Sequence, residues 1–157
     1  MGRALIFAAS AIFLSALYSI GEPRAQDLSG ITIGSDRQAL RLLGAEPVAS
    51  QTMGPHSIVK YVLPGGNEFS ATFVRSSGKI VFLETDWGGE SGGSYADWSG
   101  MKFGQTTLTD IRKMLGSNGF AFKQRPGVAP ERDGGIALFN SYQIRETDVI
   151  VTFVTII

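Results

Sequence analysis

Chemistry in this chain of 157 residues would have to come from a small set of side chains. Glu84 and Asp86 stand two apart, the spacing that puts two carboxylates on one face of a strand. A glycoside hydrolase needs such a pair flanking its bond, yet adjacent odd positions share a face by accident very often. Asp86, Glu90 and Asp97 could offer oxygen to calcium, but their spacing follows no EF-hand loop. His56 is the single histidine and there is no cysteine, so zinc has no typical ligand set and a thiolate nucleophile is excluded. His56 lies in Met-Gly-Pro-His-Ser, which reads as a solvated turn, and no nucleophile elbow accompanies it. Gly65-Gly66-Asn67 and Gly134-Gly135 open no helix and so make no phosphate loop. The residues predict no catalytic site, no metal and no cofactor.

Recognition is the chemistry that remains. Residues 84–100, ETDWGGESGGSYADWSG, hold both tryptophans of the chain in a stretch too rich in glycine for a helix or a regular strand. Trp87, Tyr95 and Trp98 admit two readings: packing at a junction between two units, or rigid aromatic anchors on an acidic rim of the kind protein interfaces favour. Residues 100–132 add a basic face of Lys102, Arg112, Lys113, Lys123, Arg125 and Arg132 against Asp110 and Glu131. The protein-binding candidates are Trp87, Tyr95, Trp98, Arg125 and Arg132, with the loop Pro126 to Asp133 beside them.

The elements that position these residues read as a repeated unit. Gly30-Ile-Thr-Ile-Gly-Ser-Asp-Arg-Gln-Ala-Leu-Arg-Leu-Leu-Gly44 and Gly100-Met-Lys-Phe-Gly-Gln-Thr-Thr-Leu-Thr-Asp-Ile-Arg-Lys-Met-Leu-Gly116 share one order of glycine, apolar, hydroxyl and helix-like positions. Ser35 with Gln38, and Thr107 with Asp110, are capping boxes for two short helices that Gly44 and Gly116 terminate. Ala39, Leu40 and Leu43 form one apolar stripe, and Leu108, Ile111, Met114 and Leu115 the other. Strands follow: 58–63, 68–75 and 79–85 as a meander in the first copy, then a possible short strand at 120–123 and a hairpin of 136–143 with 149–156 in the second. The expectation is an α+β fold of two degenerate tandem repeats, 26–85 and 100–157, each a short helical element followed by a three- or four-stranded antiparallel sheet. Residues 86–99 are the Gly-rich acidic linker.

Ahead of the repeats, Met1-Gly2-Arg3 precedes a short apolar run to Ile20 and then polar residues, the arrangement of a secretory signal peptide. Residues 1–25 are expected to form the leader, cleaved after Gly21 or Ala25; removal of all 25 takes away Arg3, Arg24 and Glu22 and leaves one net negative charge. A near-neutral chain has no global electrostatic reason to seek nucleic acid or an anionic membrane. The expected location is periplasmic or secreted, without stable membrane insertion once the leader is gone.

"ITIGSDRQALRLLGAEP" resembles the opening of the family that includes the beta-lactamase inhibitory protein and the small lipoproteins of outer-membrane protein assembly. The tandem arrangement is more similar to the inhibitory protein, whose disulfides this chain lacks, as it lacks the lipidated cysteine of the lipoproteins. The resemblance covers residues 30–85 better than 100–157. It implies a soluble envelope or secreted module that binds another protein through its sheet and loops without an active site. Two other functions fit the residues: a hydrolase of extracellular polymers using acidic side chains, and a structural envelope protein pairing through a sheet edge at Val149 to Ile156.

Overall fold

The computed structural model describes residues 5–12, 27–87, 98, 101–120, 128–130, 136–144 and 147–156, with the backbone alone for 5–12, 128–130 and 155–156. The chain is mainly β. Among the described residues strand far exceeds helix, which corrects the α+β expectation. The helical share is a seven-residue 3-10 helix, Arg37–Leu43, and an eight-residue α1, Leu108–Leu115. Neither is long enough to make a layer of its own, and no helix among the described residues is long and apolar enough to cross a membrane.

Among the described residues the strands are, in chain order, β1 (Leu5–Ile12), β2 (Asp27–Leu28), β3 (Ile31–Thr32), β4 (Pro47–Met53), β5 (His56–Val62), β6 (Glu68–Val74), β7 (Ile80–Asp86), β8 (Val128–Pro130), β9 (Ile136–Gln143) and β10 (Val149–Ile156). Strands β2 and β3 form a small hairpin. All others join one sheet in the order β4-β5-β6-β7-β1-β10-β9-β8. The expected pair of sheets is therefore a single continuous one, because each meander leaves an unpaired edge and edges recruit strands. Residues expected to lie within a leader supply the middle strand.

Alternation decides which face is core. Phe69, Ala71 and Phe73 of β6 are buried and register against Thr85, Leu83 and Ile80 of β7. Across β1, Thr85 and Phe153 both face position 8, while Leu83 and Val151 both face position 10. All four are buried, so the two halves share one core face. Leu28, Ile31, Leu40, Leu43, Trp98, Met101, Phe103 and Ile111 complete the core.

The sheet corrects the repeat as well. Strand β1 is antiparallel to both β7 and β10, so β7 and β10 run parallel to each other. Rotating one meander onto the other about an axis through the sheet would make them antiparallel, and rotating about an axis along the strands would put the helices on opposite faces. The halves match in their helical openings and not in their strand order.

The first meander has four strands, one of them ahead of the three read from the sequence. Pro47–Met53 pairs with β5 around the Gly54-Pro55 turn, and His56 is the first residue of β5, opposite Met53 and Val74. Every residue of β4 is exposed, so it lacks the apolar alternation by which a strand is recognised.

Candidate functional site

The 3-10 helix hangs from the start of β7. Gly34 N–H donates to the Ile80 carbonyl at 2.7 Å, Ile80 N–H to Ser35 at 2.9 Å, and Arg37 N–H to Gly78 at 2.9 Å. A salt bridge from Lys79 to Asp36 at 3.3 Å lies beside them. Leu40 and Leu43 point into the core, which turns Arg37, Gln38, Arg41 and Leu42 outward. The helix ends at Gly44 in the left-handed region, φ 62°, where glycine carries no Cβ penalty.

A groove lies between the 3-10 helix and strands β4 and β5. Its volume is about 730 Å³, with Arg37, Arg41, Glu46, Ser50, Tyr61 and Phe73 among its lining. The Arg37 guanidinium sits 5.7 Å above the centre of the Phe73 ring, a cation–π geometry that holds the charge at the groove wall. Tyr61 meets Phe69 edge to face at 6.4 Å. Burial, and then the nearby Glu46 charge, push the Tyr61 phenol above its ordinary value, so it remains a protonated hydrogen-bond donor at neutral pH. Aromatic side chains below and arginines above are the residue types that dominate protein-binding energetics.

A smaller groove of about 460 Å³ lies at the C-terminal end of α1, among Thr109, Arg112, Lys113, Gly116, Ser117 and Asn118. Its two cations complement the negative end of the helix, which gives them a structural task.

The carboxylates gather on the other face of the sheet. Glu68 registers against Asp86, and Ser70 against both Glu84 and Lys60. Ser70 Oγ donates to Glu84 Oε2 at 3.1 Å. Burial, followed by the charges of Glu84 and Glu68, raises the Asp86 carboxyl to about 6, with Lys60 opposing. Neither groove above is lined by these carboxylates, and no group of three or more metal-ligating side chains occurs among the described residues.

Of the five sequence candidates, Trp87 and Trp98 lie among the described residues. Trp98 is 4% exposed and meets Phe153 edge to face at 5.4 Å, so it is interior packing and projects into no solvent. Trp87 is half-buried against the core. Its ring lies so close to Gly104 that a Cβ there would come within 2.9 Å of Cη2, and its Nε1 is shut off without an acceptor among the described residues. Tyr95, Arg125 and Arg132 lie outside the described residues, as do Glu90 and Asp97. Of the loop Pro126 to Asp133, only the backbone of Val128–Pro130 is described.

Sequence reasoning missed the groove. Tyr61 and Phe73 read as strand interior, which they are, and Arg41 as a solvated charge. What the pattern lacks is any sign of β4, whose residues are all exposed and which lines the groove through Pro47 and Ser50. No family model, curated protein or solved structure matches the chain.

Proposed function

We propose that the chain is an exported, cofactor-free module that binds another envelope or secreted protein through the groove between the 3-10 helix and β4–β5. One observation carries this reading: a groove open to solvent with Tyr61 and Phe73 as its aromatic wall and Arg37 and Arg41 along its rim. Tyr61 and Phe73, each 7% exposed, form a rigid wall to the groove, and the exposed charges of Arg37 and Arg41 at the rim set orientation and on-rate. The resemblance to the inhibitory-protein family supports the same class of function.

Site-specific photocrosslinking tests it. A photoreactive residue at Ser50 is expected to capture a partner from an envelope fraction, and the double variant Arg37→Glu, Arg41→Glu to lose that capture. Equal capture from Thr109 at the far groove, or capture untouched by the double variant, would sink the reading.

The hydrolase reading draws on a different observation, the Asp86 carboxyl raised to about 6, a value suited to general-acid work near neutral pH. It requires turnover of a cell-wall or extracellular polymer that Asp86→Asn abolishes while the fold persists. With β1 in place the sheet-edge reading falls on β4 and β8, the two outer strands, because β1 then covers Val149 to Ile156.

A further inference from the structure

Strand β1 stands where the sequence places a leader. It pairs with β10 over eight positions, from Leu5 opposite Ile156 to Ile12 opposite Val149. With β7 it pairs over four, from Ala8 opposite Thr85 to Ala11 opposite Phe82. Removal of residues 1–25 on export takes a strand out of the middle of the sheet and leaves two facing rows of backbone donors and acceptors. We propose that in the exported chain the space between β7 and β10 is a strand-acceptor slot, filled by an extended, uncharged segment of the protein this module binds. The proposal rests on the export reading of residues 1–25 and is independent of the groove described above.

The slot resists simple closure. With β1 gone, β7 and β10 stand about two strand spacings apart, roughly 9.6 Å, so direct pairing requires one half to slide about 4.8 Å against the other. The halves are tied across the gap by one core cluster and by the Trp87 ring seated on Gly104. Close-packed interiors have two arrangements or none and do not stretch continuously.

Register specifies the occupant. On the core face, position 8 lies between Thr85 and Phe153, and position 10 between Leu83 and Val151. The residues at those positions are Ala8 and Ser10, so the walls are large and what stands between them is small. On the outer face, position 9 lies between Glu84 and Thr152, and position 11 between Phe82 and Ile150. A fitting segment runs antiparallel to β10, spans about eight residues, and carries small uncharged residues at the two core positions. Backbone pairing then supplies affinity and the small-residue rule supplies specificity.

Amide hydrogen exchange on the chain 26–157 is the test, with a synthetic peptide of residues 4–13 as the probe and the same peptide carrying Ala8→Asp and Ser10→Asp as control. In the chain alone, slot-side amides of 82–85 and 149–156 are expected to exchange freely. The probe is expected to slow them about tenfold or more, the change for an amide gaining a ladder hydrogen bond, and the control to leave them unchanged. Protection already present in the monomeric chain means β7 and β10 have closed on each other, and protection that appears only with self-association means a second copy fills the slot; either overturns the proposal. So does a probe without effect. Should 26–157 not fold, the full chain cut after residue 25 once folded replaces it: labelled probe is expected to displace the cut leader, and failure to exchange overturns the proposal. Mass spectrometry of the exported protein separates the two premises, because a retained residue 1–12 segment defeats removal of the leader and with it the slot, whereas a processed chain with a closed sheet defeats the slot alone.

Discussion

Ser35 and Thr107 occupy matching places in two similar stretches of sequence, and only one of them caps a helix. Thr107 makes a full capping box: its Oγ1 accepts from Asp110 N–H at 3.2 Å, and its own N–H donates to Asp110 Oδ2 at 2.9 Å. Ser35 instead donates to the Thr32 carbonyl at 2.6 Å. The N-cap there is Asp36, which makes no side-chain cap. The orphan amide at the helix start explains the difference. In the first half Arg37 N–H already has the Gly78 carbonyl of the turn before β7, so the sheet does the work of a cap, and the tied entrance winds as a 3-10 helix. The second opening is two residues longer and caps itself as an α-helix. One sequence signal thus has two structural outcomes, decided by whether a strand stands close enough to satisfy the backbone.

The largest break in this comparison is expected at the tryptophans, which belong to the joint between the halves. Trp98→Ala should cost about 3–5 kcal/mol, as large-to-small changes in a packed core do, and Trp87→Ala about half of that because the side chain is partly exposed. Denaturant unfolding followed by circular dichroism measures both. One transition displaced as a whole means a single cooperative unit, and a second transition confined to one half would show that each half folds alone.

Gly34 and Gly104 sharpen it further, since they are matching glycines with positive φ, 83° and 71°. Added carbon at Gly34 meets nothing within 4 Å, whereas at Gly104 it meets the Trp87 ring. Gly34→Ala is expected to cost about 1 kcal/mol for the left-handed backbone alone, and Gly104→Ala about 2–3 kcal/mol for backbone plus overpacking. Combining Gly104→Ala with Trp87→Leu should recover part of the loss. No recovery would remove the Trp87–Gly104 contact from the joint.

These positions also show how far the sequence carries. Helix stops at Gly44 and Gly116, the apolar pair Leu40 and Leu43, the β6–β7 strands and the β9–β10 hairpin are legible because local backbone geometry and burial period decide them. The capping role of Ser35, the strand β4 and the joining of two meanders into one sheet are not, because each depends on a neighbour distant in sequence. The groove has the same origin: Arg37, Tyr61 and Phe73 come from three elements distant in sequence that only the folded sheet brings to one lining. Met114 marks the limit of the periodic reading, placed in the apolar stripe of α1 yet exposed, while its neighbour Leu115 packs against the core.

Acid distinguishes the outer faces. Asp86 is raised to about 6, chiefly by burial, so the folded state holds its proton more tightly than the unfolded chain with its ordinary value of 3.8. Between those values the native state binds more protons, and stability falls as pH rises from about 4 to about 6. The loss is roughly 1–2 kcal/mol once partial solvent screening is allowed for. Asp86→Asn should flatten this limb and stabilise the protein at pH 7, read as melting temperature against pH. An unchanged slope would place the titrating group elsewhere.

The smallest effects return to the two helix openings and are the most diagnostic. Thr107→Ala removes a true cap and should cost about 1 kcal/mol. It should also release the Asp110 carboxyl, which its side-chain and backbone hydrogen bonds with Thr107 hold below the ordinary value. A group depressed in the folded state stabilises above its unfolded value and loses that contribution as pH falls through the folded one, so the cost of Thr107→Ala should shrink in acid. Ser35→Ala removes only a local bond to Thr32 and should cost about half as much, independent of pH. Equal costs with equal pH dependence would mean that both hydroxyls cap helices in solution, and the sheet-for-cap exchange that separates the halves would fail.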